Sequence, residues 1–372
     1  MARRKKKPKW VVVLSVIVVI AIVLGYYYYN NVYLPNKYKD LYGKEIEYAH
    51  ADNEITFHFP MLGNKYNGDA IFIKAGDNDI LIDAGSRASS VPAIKEYVDR
   101  FCTDNTLEYV IATHGDQDHI AGFACADNIF DYYKCETIID FSKTNKDSKT
   151  YENYVKNRDK EVANGATHYT ALECVKEQNG AKKVYNLADN ITMEILYHQF
   201  YEIESADENN HSVCLLFTHG DRSFLFTGDL EKEGEQSLVN ENNLPEVALF
   251  KAGHHGSATS STDALLSVIK PKICVATCVA GIDEYTTNQS TTFPTQDFID
   301  RIAKYTDKVY VPTLGEENMM EKGVEYTAMN GNIKVVSKDT KVSVLCSNSV
   351  ELLRETKWFK NNRTMPSAWN FS

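Results

Sequence analysis

A short run of histidine and acidic side chains carries the clearest chemistry in this sequence of 372 residues. His114, Asp116, Asp118 and His119 lie close together in the segment THGDQDHIAG. Imidazole nitrogens and carboxylate oxygens are common ligands of metal ions, and four of them on one turn can converge on the same point. Because the turn directly follows the apolar run LEYVIAT, it is predicted to end a buried strand rather than to be a solvated polar loop.

Two more runs of the same kind follow along the chain. Asp229 ends the apolar run RSFLFTGD, and His254 and His255 follow VALFKAG. Taken alone, an Asp after a strand is more often a helix N-cap, and a His pair is often a surface feature. Three strand ends that each carry metal-type ligands instead indicate one metal site.

The elements that must position these side chains are short apolar strands separated by helices. Runs rich in Val, Ile and Phe recur along the chain. Helices are predicted over residues 92–102, 151–163, 231–240, 262–270 and 295–304. Paired strands followed by single helices predict two mixed sheets covered by helices, an α/β layered architecture. Ligands of such folds bind at the C-terminal ends of strands, where all three motifs lie.

These motifs resemble those of metallo-β-lactamase-fold hydrolases, and in particular the hydrolase domain of the ComEC competence proteins. The resemblance covers residues 52–340 or so. The segments that carry it are GDA at Gly68, ILIDAG with Asp83, THGDQDHIAG, NNHS from Asn209 to Ser212, FLFTGDL with Asp229, and KAGHHGS. It implies a four-layered αβ/βα sandwich with the metal site along one sheet edge.

The same resemblance implies a ligand set for one or two divalent ions. The ligands carried over are His114, Asp116, Asp118, His119, Asp229 and one of the pair His254 and His255. The first two would belong to one ion and the next two to the other, with Asp229 bridging them. Asp116 stands where the broader family has a His, and this extra hard oxygen ligand makes Mn²⁺ an alternative to Zn²⁺.

The chemistry that such a pair of ions supplies is hydrolysis. Two ions about 3.5–4 Å apart can lower the pKa of a water molecule and stabilise charge on an attacked phosphoryl or acyl centre. Asp118 and Asp229 are the candidate catalytic residues, because either could orient the attacking water or accept its proton. Asp83 is predicted to hold the metal loop in place from behind the ligands rather than to bind metal.

The chain departs from the family pattern at two places. Ahead of the TGD strand pair the broader fold has a His; here Asn209 matches the ComEC type, and whether the nearby His211 reaches the metals depends on strand register. The ComEC-like pattern also ends a later loop in His-Pro, whereas this chain has Phe293 before the proline. A side chain that could contact the leaving group or phosphate is thus absent, and altered or lost activity is expected. Asn288 and Thr292 are the candidates that could partly replace its hydrogen bonding.

Residues 143–160 form a local cationic segment that follows the strand next to the metal motif. The segment contains six basic groups, three acidic groups and two tyrosines. Its plainer interpretation is a solvated helix face. Its functional interpretation is a surface on which Lys143, Lys146 and Lys149 hold the phosphates of a single nucleic-acid strand.

The N-terminal part differs in composition from the rest. Six of the 40 Lys and Arg crowd into the first nine residues, and the remaining chain carries 17 more acidic than basic groups. Residues 10–29 are uncharged and, as a helix, just long enough to cross a hydrocarbon core of roughly 30 Å. The predicted order is a cytoplasmic basic stub at 1–9, a transmembrane signal anchor at 10–29, a tether at 30–44, the hydrolase domain at 45–350 and a C-terminal tail at 351–372. The hydrolase domain is therefore expected outside the cell, on a single-pass membrane protein.

All eight cysteines follow the predicted span, where disulfides are permitted. Cys214 and Cys274 nevertheless lie inside apolar runs, which favours buried free thiols. No CxxC occurs, so a zinc-ribbon interpretation fails.

The leading interpretation is a membrane-anchored extracellular metal-dependent hydrolase, a phosphodiesterase or nuclease acting on an anionic phosphodiester. Single-stranded DNA is one such substrate, and a wall polymer or its phosphocholine is another. One alternative is a hydrolase of lactones, lactams or thioesters, which would use the same ions. The other is a degenerate domain that keeps metal and fold but binds a partner, which Phe293 supports. The sequence leaves the natural substrate, the metal and the oligomeric state open.

Overall fold

A computed structural model of the chain describes residues 9–28, 53–315 and 326–370. The chain divides into two compact units, residues 1–41 and 42–372. The first contains helix α1, Lys9–Tyr28, whose side chains are described from Ile17 onward. Within the described residues no helix has both the length and the apolar character that a membrane crossing needs. The transmembrane assignment of residues 10–29 stays a prediction, and the tether at 30–44 and most of the basic stub lie outside the described residues.

The second unit is built from short strands and helices. Its strands are β1 (Glu54–Phe59), β2 (Ile71–Ala75), β3 (Asn78–Ile82), β4 (Thr106–Ile111), β5 (Lys134–Asp140), β6 (Thr167–Thr170), β7 (Val184–Ala188), β8 (Ile191–Leu196), β9 (Cys214–His219), β10 (Arg222–Phe226), β11 (Leu249–Lys251), β12 (Ile273–Val275), β13 (Val279–Ala280), β14 (Val309–Tyr310), β15 (Thr313–Leu314), β16 (Thr327–Ala328), β17 (Ile333–Lys338) and β18 (Lys341–Cys346). Its α-helices are α2 (Val91–Val98), α3 (Gln117–Ala124), α4 (Lys149–Ala163), α5 (Ala171–Lys176), α6 (Lys232–Glu241), α7 (Asp263–Ile269), α8 (Gln296–Ile302) and α9 (Lys357–Asn362).

Two mixed sheets organise these strands, as the sequence predicts. In the described part of the chain, the first sheet has the order β18-β17-β1-β2-β3-β4-β5-β6 and the second β14-β12-β11-β10-β9-β8-β7. A small third sheet has the order β13-β15-β16. The strands β3 to β6 run parallel, as do β10, β11, β12 and β14. Parallel neighbours bring the C-terminal ends of their strands to the same edge, which is where the metal motifs stand.

Alternating apolar residues give the second sheet two buried faces. On β9 and β10, Phe217 and Phe224 belong to the core that the two sheets share, whereas Leu216 and Leu225 belong to a second core. Across the shared core the ring of Phe57 on β1 lies 5.7 Å from that of Phe217 and 4.6 Å from that of Phe224. Strands apolar on both faces require cover on both sides.

Helices supply that cover. Buried side chains of α2 and α3 cluster with residues of the first sheet, and those of α6, α7 and α8 belong to the second core. The result is the four-layered sandwich expected from the resemblance, helix on sheet on sheet on helix. The segment expected as a C-terminal tail places Trp358, Phe359 and Trp369 in the second core. All eight cysteines are free thiols.

Candidate metal centre

The turn between β4 and α3 divides the first motif into two parts. Asp116 is the N-cap of α3 and has an extended backbone, so Asp118 and His119 lie in the first helical turn while His114 stays in the preceding loop. Gly68 permits the neighbouring loop to pack against this turn, because a Cβ atom at that position would lie 2.6 Å from the Asp118 carbonyl oxygen. The motif is therefore held from the helix and from an adjacent loop.

Asp118, His119, Asp229 and His255 form a four-ligand cluster in which each offers one ligand atom and these atoms all lie within 4.8 Å of one another. The Oδ2 atom of Asp229 lies 3.1 Å from Nε2 of His119 and 3.3 Å from Nε2 of His255. The Oδ2 atom of Asp118 lies 3.4 Å from the same His255 nitrogen. Three strand ends distant in sequence thus meet at one point, as the motifs predict.

The opposite ring nitrogens of these histidines are fixed by hydrogen bonds. Nδ1 of His119 donates to Asp83 over 2.7 Å, and Nδ1 of His255 donates to the Thr277 carbonyl over 2.9 Å. Asp83 also accepts from the amide and the hydroxyl of Thr113. The structure therefore puts Asp83 behind the metal loop, as predicted, and leaves each Nε2 lone pair directed at the carboxylates.

His114 and Asp116 form the other half of the centre. Nδ1 of His114 lies 3.1 Å from the Thr113 hydroxyl, and its Nε2 lies 3.6 Å from Oδ2 of Asp116. The imidazole rings of His114 and His119 are 4.1 Å apart, so the two halves are adjacent. The other Asp116 oxygen is paired with Nζ of Lys146 at 2.5 Å.

Metal ions suit this arrangement. Nε2 of His114 and Nε2 of His255 are buried and have no hydrogen-bond partner among the described residues. A buried nitrogen lone pair facing carboxylate oxygens is costly unless a cation or a proton lies between them. Imidazole and carboxylate together are a ligand set that Zn²⁺ and Mn²⁺ both accept.

Protonation of the histidines differs between the two halves. Burial opposes charging of His119 and His255, but nearby carboxylates raise the pKa of each well above its usual range. Asp229 and then Asp83 act on His119, and Asp229 and then Asp69 act on His255. Burial, followed by the charge of His119, lowers the pKa of His114. Without metal, protons therefore compete for the four-ligand cluster more than for the His114–Asp116 pair.

The structure resolves which of the two adjacent histidines joins the cluster. Nε2 of His254 is 3.9 Å from Asp229, and its Nδ1 lies 3.3 Å from Glu231. His254 is also partly exposed, whereas His255 is fully buried. Both have left-handed backbones, with φ of 47° and 55°, which non-glycine residues rarely adopt outside functional sites and tight turns.

A buried lysine places a positive charge beside two carboxylates of the centre. Nζ of Lys251 is ion-paired with Asp69 and lies 3.3 Å from Oδ1 of Asp229. These carboxylates raise the pKa of Lys251 although burial opposes its charge. Neither Lys251 nor Asp69 is among the site residues predicted from the sequence; the signal that could have found the lysine is its position in the apolar run VALFKAG.

His211 is not brought to the cluster. Its Nδ1 donates to the Phe200 carbonyl over 3.2 Å. The next residue, Ser212, faces the site instead, with its hydroxyl 3.4 Å from Nδ1 of His114 and accepting from the Asp229 amide. Asn209 donates to Glu231 over 3.3 Å.

Of the three lysines expected at the substrate, the structure brings Lys146 alone to the centre. Lys143 pairs with Glu204, and Lys149 pairs with Glu152 on its own helix, each at 2.7 Å. These two fit the plainer interpretation of a solvated face. That all three hold substrate stays a prediction, and the structure favours Lys146 among them.

Asn288 and Thr292 are also not directed at the metals. Asn288 caps a short 3₁₀ turn by accepting from the Ser290 amide, and this use engages its side-chain oxygen. Thr292 is 1% exposed and accepts from Arg363 over 3.0 Å. Local hydrogen bonds use both side chains, and their expected role in place of the absent imidazole stays a prediction.

Tyr285 reaches the centre although the sequence analysis did not single it out. Its hydroxyl donates to Oδ2 of Asp118 over 2.9 Å. The residue lies in a long loop without periodicity, so no local pattern points to it.

The chain is similar in sequence to a known family and to several known proteins. A sequence model described as the Metallo-beta-lactamase superfamily matches residues 63–276, which is more than half of the chain. ComE operon protein 3 of Bacillus subtilis is 27% identical over 45% of this chain and 20% of its own length. Recombination protein 2 of Haemophilus influenzae is 26% identical over 72% of this chain and 27% of its own. Competence protein ComA of Neisseria gonorrhoeae is 40% identical over 20% of this chain and 11% of its own. The chain thus spans about a quarter or less of the curated relatives it matches.

Proposed function

The chain belongs to the metallo-beta-lactamase superfamily, and on that premise we propose that it is a metal-dependent phosphodiesterase. The observation that carries the proposal is the convergence of buried histidine Nε2 atoms and carboxylate oxygens at one sheet edge. The similarity to ComEC-type competence proteins, predicted from the motifs, is confirmed by the relatives.

The metal ions would be held by the two halves of the centre. The four-ligand cluster would hold one divalent ion, and the His114–Asp116 pair would contribute to a second, with Asp229 serving both. Bound Zn²⁺ or Mn²⁺ supplies positive charge that activates water and stabilises an attacked phosphoryl group.

The carboxylates of the site would orient the water and take its proton. Asp229 is 1% exposed and Asp118 is 15% exposed, so Asp118 is the one of the two that faces the opening. Burial opposes ionisation of Asp118, but His255 and His119 lower its pKa. An ionised oxygen at the open edge is suited to accept a proton from an approaching water molecule.

The position of Lys146 favours an anionic substrate. Its ammonium group is at the edge of the centre and about a quarter of the side chain is exposed. The chain as a whole has a net charge of −11, so this cation is a local exception beside the metal site. A phosphodiester carries one negative charge next to the atom that is attacked, which fits a cation at this distance from the ligands. The printed names of two relatives, a recombination protein and a competence protein, support a nucleic acid as the phosphodiester.

We propose that residues 10–29 anchor the protein in the cell membrane with the hydrolase domain outside. The support is the uncharged segment with six cations before it and the exposed apolar side chains of α1, such as Ile22, which is 65% exposed. Protease added to intact cells should then degrade the chain beyond residue 29 and leave the N-terminus protected. Recovery of intact full-length protein from the cytosol would contradict the proposal.

The activity is tested with the full-length protein in detergent, stripped of metal and reloaded with Mn²⁺ or Zn²⁺. We expect hydrolysis of bis(p-nitrophenyl) phosphate and of single-stranded DNA that is lost on chelation and restored by metal. Asp229→Asn is the inactive control. Turnover of lactones, lactams or thioesters in place of phosphodiesters would reassign the reaction. Metal binding without turnover of any of these compounds would favour a binding protein.

A further inference from the structure

The loop from Gly281 to Pro294, here called the aromatic loop, is held at its base. The Gly281 amide donates to the Phe293 carbonyl over 3.0 Å. The Arg363 guanidinium donates to the carbonyls of Thr292 and Pro294 over 2.6 and 2.9 Å. A loop closed by its own backbone and clamped by a buried cation presents its tip in a defined position.

The tip is also fixed from the side of the metal centre. Glu284 accepts from the backbone amide and the side chain of Asn67, over 2.7 and 3.1 Å. It also pairs with Arg87 at 3.0 Å. Asn67 lies two residues before Asp69, so the same segment holds the aromatic loop and a carboxylate of the centre.

Tyr285 follows Glu284 and directs its hydroxyl at the centre. The hydroxyl lies 2.9 Å from Oδ2 of Asp118, while 55% of the residue stays exposed. Its ring centroid lies 5.7 Å from that of Phe293, which in turn lies 6.0 Å from the ring of His255. Phe293 therefore works as a support for the tyrosine ring and has no polar atom of its own to offer.

We propose that Tyr285 is a catalytic residue whose hydroxyl donates a hydrogen bond to an oxygen of the substrate phosphate. Tyr285 would thereby replace the histidine that the family pattern has at the position of Phe293. The inference rests on the proposed phosphodiesterase function. In the reaction, water adds to phosphorus, the ester P–O bond breaks, and the products are a phosphomonoester and an alcohol. The single hydroxyl proton of Tyr285, which Asp118 accepts in the structure, would turn to the phosphate oxygen when substrate binds. Tyr285 keeps this proton throughout and contributes by stabilising negative charge on the phosphate oxygen.

The experiment compares Tyr285→Phe with Tyr66→Phe in the full-length protein loaded with Mn²⁺. Tyr66 is a matched control because it lies beside Asn67, has its ring under Arg87 and makes its described hydrogen bond through its backbone amide. For Tyr285→Phe we expect turnover of bis(p-nitrophenyl) phosphate at saturation to fall at least about tenfold, with unchanged metal content. The control should match the wild type.

Two further arms separate this inference from the proposed function. Binding of inorganic phosphate to the metal-loaded protein, measured by calorimetry, should weaken at least about fivefold in Tyr285→Phe and not in Tyr66→Phe. Adding Phe293→His to Tyr285→Phe should restore part of the lost turnover, whereas Phe293→His alone should change it little.

The outcomes are distinct. A wild type that turns over no phosphodiester defeats the proposed function, and phosphate binding then still decides the role of Tyr285. Wild-type turnover and phosphate affinity in Tyr285→Phe would overturn the inference. Loss of metal from Tyr285→Phe would overturn it as well, because Tyr285 would then act by positioning Asp118.

Discussion

The two halves of the metal centre differ in how firmly the protein fixes their ligand side chains. The four-ligand cluster draws side chains from three separated strand ends, and its histidines are fixed from behind by Asp83 and by the Thr277 carbonyl. The His114–Asp116 pair comes from one loop, and Lys146 engages one oxygen of its carboxylate. Ligands already oriented by the protein lose less conformational entropy on binding. We therefore expect the cluster to bind its ion more tightly than the pair binds its own.

The largest expected effect comes from Asp229, which we propose serves both ions. Asp229→Ala should remove metal from the cluster and the pair together and lower turnover by about a thousandfold or more, because no remaining group offsets the ions' charge in the same place. Elemental analysis and the phosphodiester assay provide the measurement. Asp140→Ala, which removes a buried carboxylate paired with Arg158 elsewhere, should keep its metal. Metal retained in full by Asp229→Ala would show that Asp229 is not a ligand of either half.

Single histidine replacements should separate the halves. His255→Gln should weaken binding of the tighter ion by at least about a hundredfold, since it removes a ligand rather than a group behind one. His114→Gln should leave that ion in place and weaken the second alone. Titration of stripped protein with Mn²⁺ gives both affinities. Equal effects of the two changes would show that the halves are not distinct.

Proton release should differ between the halves as well. The pKa values of His119 and His255 are raised, so these groups hold protons at neutral pH and a cation must displace them; affinity for the tighter ion should rise with pH from 6 to 8. The pKa of His114 is lowered, so the weaker ion should bind with little proton release from this residue. Calorimetry in two buffers of different ionisation enthalpy counts the protons. Release tied to the weaker ion alone would reverse the assignment.

The smallest expected effect concerns the cation beside the pair. Lys146→Ala should raise KM about five- to tenfold at low salt with little change in turnover at saturation, and the effect should shrink as salt rises. Lys143→Ala and Lys149→Ala are matched controls from the same segment, because both lysines pair with local glutamates. Equal effects of all three changes would instead support a substrate-binding surface formed by all three lysines.

The sequence predicts the sandwich and the principal clusters because period-two apolar strands end at polar residues, and parallel neighbours bring those ends together. It cannot choose between His254 and His255, since their left-handed backbone decides which ring turns inward. The sequence also does not distinguish Lys146 from its neighbours, because the difference lies in the partners that the fold supplies. Tyr285 depends on a loop held by Arg363 and, through Glu284, by Asn67 and Arg87, which are contacts distant in sequence and without a local pattern.

The most direct test of the central claim is anomalous diffraction from crystals of the protein soaked in Mn²⁺. We expect one strong peak among Asp118, His119, Asp229 and His255, and a second peak of lower occupancy beside His114 and Asp116. Peaks at other side chains, or no peak in crystals whose protein is folded, would contradict the account.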